Sequence, residues 1–236
     1  MYEAIILAGG LGTRLRPAVA DLPKVMAPIG DKPFLHYVLE WLHQHGVTRI
    51  VMAVGYKANI IEDYLSNNHY PFEFIISKEE EPLGTGGAIQ LALNHLNSEH
   101  VMVVNGDTFF TVDLDLLFDF HEMNHADLTV ALKEMEDFDR YGTVSIDMEY
   151  NIYGFKEKEY CARGYINGGI YMLKRSALEH ADLPEKFSFE KDFMEKYCNE
   201  LHFKGLSFED YFIDIGVPDD YEKAKNELPN LVFGFR

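Results

Sequence analysis

A glycine-rich stretch, LAGGLGTRLRP from Leu7 to Pro17, carries the residue types that bind anions, and we call it the glycine loop. It begins at the end of the apolar run Ala4–Leu7, which is typical of a strand buried on both faces. Glycines after such a strand let backbone N–H groups approach a phosphate closely. Arg14 and Arg16 add positive charge to the same stretch, so the glycine loop predicts an anion site.

The glycine loop matches neither of the two widespread phosphate-binding motifs. The dinucleotide-binding fingerprint needs a third glycine three residues after Gly12, where Leu15 stands. The P-loop needs Lys and then Ser or Thr after its last glycine, where this chain has Thr13-Arg14. The sequence therefore indicates a different kind of phosphate chemistry.

Two aspartates have the surroundings of metal ligands. Asp107 follows Asn105-Gly106 at the end of the apolar run Val101–Val104. Asp214 lies within the apolar stretch Phe212–Gly216, where burying an unpaired carboxylate is costly. One Mg²⁺ held between the two carboxylates, with phosphate oxygens and water completing its shell, relieves that cost and suits this hard ion.

Strand and helix patterns alternate through the first half of the chain, which predicts a parallel sheet covered by helices on both faces. The predicted strands are Ala4–Leu7, Ile50–Val54, Phe72–Ser77 and Val101–Val104. The predicted helices are one opened by Asp31 and Pro33 and ended by Gly46, a short one through Ile60–Leu65, then Gly86–Leu96 and Asp113–Asn124.

The second half is mostly extended, which predicts a mixed sheet or a β-rich flap. The extended segments are Asp127–Glu134, Thr143–Ile146, Ile152–Phe155 and Tyr165–Leu173, followed by helices at Phe189–Tyr197 and Pro218–Leu228. No repeat or linker divides the chain, so we expect a single domain over residues 1–236.

The composition of the chain limits the classes of molecule that the protein is expected to bind. The 236 residues carry a net charge of −18, which disfavours nucleic-acid binding because the chain would repel phosphate backbones. Cys161 and Cys198 have no metal-type spacing. No signal peptide and no membrane-spanning run stand out, so we expect a cytoplasmic protein with small-molecule substrates and no membrane or nucleic-acid partner. The oligomeric state stays open; a homo-oligomer is possible, with Phe233 and Phe235 as candidate contacts.

The glycine loop followed by Pro23-Lys24 resembles the signature of the sugar-1-phosphate nucleotidyltransferases, which join a nucleoside triphosphate to a sugar 1-phosphate and release pyrophosphate. The likeness continues along nearly the whole chain. The further matching motifs, in the family order, are Pro82–Ala88, Asn105–Asp107, Tyr141-Gly142, Phe155–Lys158, Ile166–Ile170 and Ile213–Gly216. The resemblance implies a Rossmann-like, three-layer α/β fold of the GT-A-like type with a mixed, mostly parallel central sheet.

The resemblance also implies a role for each motif. Arg14, Lys24 and Asp107 would be catalytic, and Asp107 and Asp214 would hold Mg²⁺. The expected nucleotide-binding residues are Leu7, Ala8, Gly9, Gly10, Leu11, Gly12, Thr13, Glu79, Pro82, Gly84, Thr85 and Gly106. The expected sugar-phosphate-binding residues are Gly142, Glu157, Lys158, Asn167 and Gly168.

The residue at position 79, a glutamate, indicates which base the nucleoside triphosphate carries. In the family this position faces the base edge, and relatives that take uridine or thymidine triphosphates commonly have Gln there. A carboxylate accepts hydrogen bonds and donates none, so it matches the adjacent N1–H and N2–H of guanine and repels the carbonyls of uracil. Within the family, the chain resembles the guanylyltransferases that act on D-glycero-D-manno-heptose 1-phosphate. Uridylyl, thymidylyl and other guanylyl transfer, to glucose- or mannose-type phosphates, are the alternatives.

A zinc protease and a catalytically inactive regulatory subunit are the two alternatives from other function classes. His121-Glu122-Met123-Asn124-His125 matches the zinc-protease pattern, but no third ligand follows at the usual spacing, and we expect these histidines on the exposed flank of a helix. A catalytically inactive, nucleotide-sugar-binding regulatory subunit would be expected to lose Arg14, Lys24, Asp107 or Asp214, and all four are present.

Overall fold

The computed structural model describes residues 2–10, Leu15, Val19 and residues 22–231. Three of the shorter helical segments are 3₁₀ turns at Lys24–Met26 and Leu228–Asn230 and a π-helical segment at Phe189–Glu195. The α-helices are α1 Phe34–Gln44, α2 Ala58–Asn67, α3 Gly84–Leu93, α4 Leu114–Met123, α5 Arg175–Glu179 and α6 Pro218–Glu227. The strands are β1 Tyr2–Leu7, β2 Pro28–Ile29, β3 Lys32–Pro33, β4 Val47–Val54, β5 Glu73–Lys78, β6 His100–Asn105, β7 Thr108–Phe110, β8 Leu128–Phe138, β9 Thr143–Ile146, β10 Ile152–Lys156, β11 Cys161–Lys174, β12 Phe203–Phe208 and β13 Phe212–Asp214.

A nine-stranded mixed sheet organises the described part of the chain. Its main path runs β5-β4-β1-β6-β11-β8-β12, and β9 and β10 continue from the first half of β11. β5, β4, β1 and β6 are mutually parallel, and β12 is parallel to β8. β11 is antiparallel to both β6 and β8, so six of the seven strands on the main path share one direction.

Two apolar layers cover the sheet, and the alternation of side chains along β1 divides them. Ala4 and Ile6 pack in the layer covered by α1, α2, α4 and α6, and Ile5 packs in the opposite layer with α3, α5 and the π-helical segment. Both layers consist mainly of buried apolar side chains, so the sheet is buried on both faces. The predicted three-layer α/β fold with a mixed, mostly parallel sheet is confirmed.

Short or composite elements escape prediction. β7 and β13 have only three residues each, too few for a periodic pattern. β3 lies within the start of the predicted first helix, because Pro33 belongs to a small hairpin with Pro28. The predicted helix at Phe189–Tyr197 begins as a π-helix, which places its buried residues Phe189 and Phe193 four apart toward the sheet. No helix in the described ranges is both long and apolar enough to cross a membrane.

Candidate active site

A cavity of about 420 Å³ opens where β1, β4, β5 and β6 end. Open α/β sheets bind ligands at this edge, because the loops that follow parallel strands meet there. Nine residues predicted to bind nucleotide or metal line the cavity: Leu7, Ala8, Gly9, Gly10, Glu79, Pro82, Gly84, Thr85 and Asp107. The predicted residues Leu11, Gly12, Thr13 and Arg14 lie outside the described residues, as do Phe233 and Phe235.

Gly106 does not line the cavity but explains how β6 ends against β1. Its N–H donates to the Leu7 carbonyl oxygen at 3.0 Å. A Cβ at Gly106 would lie 2.6 Å from that oxygen and 2.8 Å from Val25 Cγ1. Glycine is therefore required there for the two strand ends to close together, with Asp107 as the next residue.

A lysine and two carboxylates form a charge cluster at the edge of the cavity. Lys24 Nζ lies 2.5 Å from Asp107 Oδ2 and 3.5 Å from Asp214 Oδ1. The Lys24 side chain is only 11% exposed, whereas those of Asp107 and Asp214 are 38% and 26% exposed. The cluster combines two negative charges with one buried positive charge, which leaves the carboxylates open to a further cation.

Backbone pairing brings the two aspartates together from distant parts of the chain. β13 pairs antiparallel with β7, which sets Asp214 opposite Thr108, and the Ile215 N–H donates to the Asp107 carbonyl oxygen at 3.1 Å. The Gly216 N–H donates to Asp214 Oδ1 at 2.7 Å, and a Cβ at Gly216 would lie 2.9 Å from that oxygen. The motif Ile213–Gly216 is therefore built to hold a carboxylate beside Lys24.

The electrostatics of Asp214 fit a divalent cation. Burial raises the pKa of the Asp214 carboxyl, and the negative charge of Asp107 raises it further, while Lys24 lowers it only in part. Among the described residues no group of three or more His, Cys, Asp or Glu is placed to hold a metal. Two carboxylates alone suit Mg²⁺ bound partly by substrate phosphates and water, so the predicted pair fits that ion.

Glu79 stands at the opposite end of the cavity, after β5. Its Oε2 accepts a hydrogen bond from the Leu83 N–H at 2.7 Å, and its Oε1 lies 2.7 Å from where a Cβ of Gly9 would stand. The carboxylate thus packs on the Gly9 backbone and faces the same cavity as Asp107. The Leu83 N–H therefore holds the carboxylate toward the cavity in the absence of a ligand.

The glycines after Glu79 receive a second segment of the chain. A Cβ at Gly84 would meet the Phe187 carbonyl oxygen, and one at Gly86 would meet the Phe187 ring. The backbones of Leu83 and Phe187, and of Phe187 and Gly86, are also joined by hydrogen bonds of 3.0 and 3.1 Å. The residues Glu185–Glu190, which we call the clamp segment, therefore lie directly on the start of α3.

Gly84→Ala is expected to destabilise the protein by about 2 kcal/mol or more. Gly84 has φ +76°, which L side chains rarely adopt, and the added methyl group would also strike the Phe187 carbonyl. Chemical denaturation of the purified variant measures the change in unfolding free energy. Gly154→Ala is the matched control, because a Cβ there meets nothing within 4 Å; equal stability of the two variants would contradict the close packing of Phe187 on Gly84.

The five predicted sugar-side residues are all described, and none of them lines the cavity itself. The Glu157 side chain is 82% exposed, with Lys191 Nζ at 3.5 Å, and Lys158 is also exposed. A Cβ at Gly142 would lie 2.5 Å from the Lys156 carbonyl oxygen, and one at Gly168 would lie 2.6 Å from the Phe110 ring. Both glycines therefore serve close backbone packing.

Asn167 is held by its own strand. Its Nδ2 donates to the Tyr171 hydroxyl at 2.8 Å, and its Oδ1 accepts from the Gly169 N–H at 2.9 Å, across an irregularity in the β11 ladder. Tyr141, beside Gly142, packs edge-on against Phe212, with ring centroids 6.2 Å apart. Burial raises the pKa of Tyr141 to about 12, and the negative charge of Asp214 contributes to that shift, which places this motif beside the charge cluster.

Sequence reasoning missed two polar residues of the cavity, Asn105 and Glu190. Asn105 belongs to the same motif as Asp107 and could have been included for that reason. Glu190 lies in no recognised motif and reaches the cavity only through the clamp segment.

The zinc-protease pattern is not assembled. His121 is fully buried, so the expectation that both histidines lie on an exposed flank is wrong for it. Its two ring nitrogens lie 2.8 Å from His100 Nδ1 and 2.8 Å from Thr129 Oγ1, and burial lowers its pKa to about 3. His125 lies beyond the end of α4 with φ 48°, so the i, i+4 helical geometry that the pattern needs is lost.

Known proteins resemble this chain along almost its whole length. The model of the Nucleotidyl transferase family matches residues 3–230. The chain is 49% identical over 230 residues to D-glycero-alpha-D-manno-heptose 1-phosphate guanylyltransferase of Aneurinibacillus thermoaerophilus, covering 98% of this chain and 100% of the relative. It is 47% identical to the protein of the same name from Campylobacter jejuni, over 93% of this chain and 96% of the relative.

A solved structure has the same fold. The crystal structure of HddC from Yersinia pseudotuberculosis complexed with GMP-PN superposes with a TM-score of 0.87 at 38% identity, covering 96% of this chain and 99% of that one. Since the family model spans nearly the whole sequence and relatives matched almost end to end are close to half identical, the chain belongs to the nucleotidyl transferase family.

Proposed function

We propose that this nucleotidyltransferase transfers GMP from GTP to D-glycero-α-D-manno-heptose 1-phosphate and releases pyrophosphate. The observation that carries the proposal is that one cavity is lined both by Glu79 and by Asp107, which is bound to Lys24 in the cluster with Asp214. The names of the relatives with 49% and 47% identity support both the base and the sugar.

The reaction is an in-line attack of a sugar-phosphate oxygen on the α-phosphorus of GTP, and the bond to the leaving pyrophosphate oxygen breaks. Both substrates are anions, so positioning and electrostatic stabilisation supply most of the rate. Lys24, already held by Asp107 and Asp214, would present its ammonium group to the two phosphates that must meet. Arg14 would hold the leaving pyrophosphate.

Asp107 and Asp214 would hold Mg²⁺ together with phosphate oxygens and water. The ion, when bound, would neutralise charge on the triphosphate and keep it in line with the attacking oxygen. The carboxylates themselves orient Lys24, through contacts of 2.5 and 3.5 Å, so each aspartate has a role toward the lysine as well as toward the cation.

On the sugar side, we keep Gly142, Glu157, Lys158, Asn167 and Gly168 as the proposed sugar-phosphate residues. Tyr141, the neighbour of Gly142, lies close enough to the cluster for the charge of Asp214 to raise its pKa, which supports this choice for the Gly142 motif. We place the reaction in the cytoplasm, where GTP is available, and propose that the nucleotide-activated heptose serves surface-glycan synthesis. The domain boundaries, residues 1–236, are part of the same proposal.

Pyrophosphate release tests the proposal. The purified protein with Mg²⁺ is assayed with GTP, UTP, dTTP, CTP and ATP against mannose, glucose and D-glycero-α-D-manno-heptose 1-phosphates. Turnover is expected with GTP and the heptose phosphate. Turnover restricted to glucose 1-phosphate with UTP or dTTP would favour the alternative transferases, and binding without turnover would favour the regulatory subunit.

Glu79→Gln is expected to lower kcat/KM for GTP about 10- to 100-fold and to raise the relative use of UTP. The carboxylate accepts from both N1–H and N2–H of guanine, whereas an amide offers one acceptor and one donor, which suits uracil. Glu80→Gln, at the exposed neighbouring carboxyl, is the matched control and should leave the GTP-to-UTP ratio unchanged. An unaltered ratio in Glu79→Gln would remove Glu79 from base recognition.

A further inference from the structure

Glu190 places a carboxylate in the nucleotide cavity that none of the predicted roles uses. It lines the cavity together with Asn105, Thr85 and Asp107. It is also the last residue of the clamp segment, so its position depends on the packing of Phe187 on the glycines of α3. A half-buried carboxylate held in this way is part of a built site.

Two hydroxyl groups fix one oxygen of Glu190. Thr85 Oγ1 accepts from the Phe189 N–H at 2.8 Å, so its proton is directed to Glu190 Oε2, also at 2.8 Å. Ser188 Oγ accepts from the Lys191 N–H at 3.1 Å and donates to the same Oε2 at 3.1 Å. In the described part of the chain these bonds all end on Oε2, which leaves Oε1 to accept from a ligand.

Glu190 lies between the start of α3, which it contacts through Thr85, and strand β11, which the neighbouring Phe189 contacts. The Phe189 ring packs edge-on against Tyr171 of β11, with ring centroids 5.2 Å apart. The negative charge of Glu190 helps to raise the pKa of the Tyr171 hydroxyl, after the larger effect of burial. That hydroxyl accepts from Asn167, and strands β4, β1 and β6 separate β11 from β5, after which Glu79 stands.

The chemistry of a carboxylate selects what it can meet there. It repels phosphate oxygens and carbonyls, and it accepts strong hydrogen bonds from hydroxyl groups. GTP and a sugar 1-phosphate both carry hydroxyls, on the ribose and on the sugar ring respectively. Glu190 lies near Tyr171, whose hydroxyl accepts from the proposed sugar-phosphate residue Asn167, and this position favours the sugar ring.

We propose that Glu190 is a specificity-determining residue whose Oε1 accepts hydrogen bonds from hydroxyl groups of the sugar 1-phosphate, with Thr85 and Ser188 as its positioning residues. This inference rests on the proposed function, since it assigns a residue to the sugar of that reaction. It also gives a role to the packing of the clamp segment on the start of α3. That packing positions the Glu190 carboxylate, which is proposed to bind the sugar.

Steady-state kinetics of Glu190→Ala and Glu190→Gln test the inference, with thermal unfolding as the check of folding. Loss of a hydrogen bond to a charged acceptor is expected to raise KM for the sugar 1-phosphate about 10- to 100-fold in Glu190→Ala, with KM for GTP changed less than about threefold. Glu195→Gln, an exposed carboxyl on the same helical segment, is the matched control and should behave as wild type.

Singly deoxygenated analogues of the sugar 1-phosphate identify the contact. The analogue that lacks the recognised hydroxyl should be a poor substrate for the wild type and should lose little more in Glu190→Ala, because the two deletions remove the same hydrogen bond. With 2′-deoxy-GTP and 3′-deoxy-GTP, the loss of kcat/KM from the missing ribose hydroxyl should add to the loss from Glu190→Ala. Coupling to a ribose hydroxyl instead, or no change in sugar kinetics in either variant, would overturn the inference.

The wild type is assayed first, with the full sugar panel, so the proposed function is judged separately. If the wild type accepts a different sugar 1-phosphate, the heptose assignment fails, and the Glu190 comparison proceeds with the accepted sugar and its deoxy analogues. Should the wild type show no turnover, the same variants are compared by calorimetric binding of heptose, mannose and glucose 1-phosphates, where an unweakened affinity in Glu190→Ala contradicts the inference.

Discussion

Lys24→Met is expected to lower kcat/KM by about 10³-fold or more, the size of effect seen when a cation or donor that stabilises transferring phosphates is removed. Lys24 is the positive member of the cluster with Asp107 and Asp214, and its side chain is 11% exposed, so water replaces its charge poorly. The loss should appear mainly in kcat, because the ammonium group is proposed to act on charge that develops during transfer.

The substitution also removes the charge that lowers the pKa of Asp214. Burial and Asp107 would then act on that carboxyl without the opposing effect of Lys24, so its pKa should rise further. A carboxyl group whose pKa is higher in the folded than in the unfolded protein destabilises the folded state as the pH rises through these pKa values. The variant should therefore lose more stability at neutral pH than at mildly acidic pH. Denaturation at pH 5 and pH 7.5 measures this difference.

Lys225→Met is the control for Lys24→Met. Lys225 lies on the surface of α6, paired with Glu222 at 2.9 Å, and its removal should leave kcat/KM unchanged. Lys24→Arg keeps the charge in a different shape and should retain more activity than the methionine variant. Activity of a folded Lys24→Met within threefold of wild type would exclude Lys24 from the transfer step.

Asp214→Asn is expected to reduce turnover by about 10²- to 10³-fold and to raise the Mg²⁺ concentration needed for half-maximal rate. The amide keeps the size of the side chain, and its oxygen can still accept from the Gly216 N–H that now donates at 2.7 Å, so the fold should be preserved. What is lost is one of two anionic ligands for the cation and one of two partners of Lys24.

Asp107→Asn should have an effect of the same size, and the double variant should lose little more than either single variant. Groups that act as a unit give strongly non-additive losses, because removing one already disables the other. Asp219→Asn, an exposed carboxyl in the first turn of α6, serves as the control. Fully additive losses from the two aspartates, with an unchanged Mg²⁺ requirement, would argue against a shared cation site.

The sequence predicts the frame of the site well, because that frame depends on local patterns. The apolar run of β1 and the glycine that follows Asn105 place anion-binding groups and Asp107 at the same sheet edge, where β1 and β6 are parallel neighbours. Asp214 is found through a local conflict, a carboxylate in an apolar stretch, which burial and the nearby Lys24 explain.

What the sequence does not predict depends on contacts between distant segments. The glycines of the Pro82–Ala88 motif resemble a phosphate-binding loop, yet Gly84, Gly86 and Gly87 make room for Phe187 and Glu185 of the clamp segment. Glu190 enters the cavity by that route, and β13 meets β7 only after the intervening hundred or so residues have folded back. No window of local sequence carries such information.

The exposed position of Glu157 and Lys158 also depends on contacts between distant segments. Their motif is recognisable in the sequence, but its distance from the cavity is set by how β9 and β10 continue from the first half of β11. Sequence resemblance assigns them to the sugar 1-phosphate, while the structure places Glu190 and Asn105 on the cavity wall.

The most direct measurement of the central claim is a crystal structure of this chain with a non-hydrolysable GTP analogue and Mg²⁺. We expect the guanine N1–H and N2–H to donate to the Glu79 carboxylate, the α-phosphate to lie within reach of Lys24 Nζ, and the metal ion to contact Asp107 and Asp214. A nucleotide bound with its base away from Glu79, or with its phosphates away from the Lys24–Asp107–Asp214 cluster, would contradict the proposed roles of these four residues.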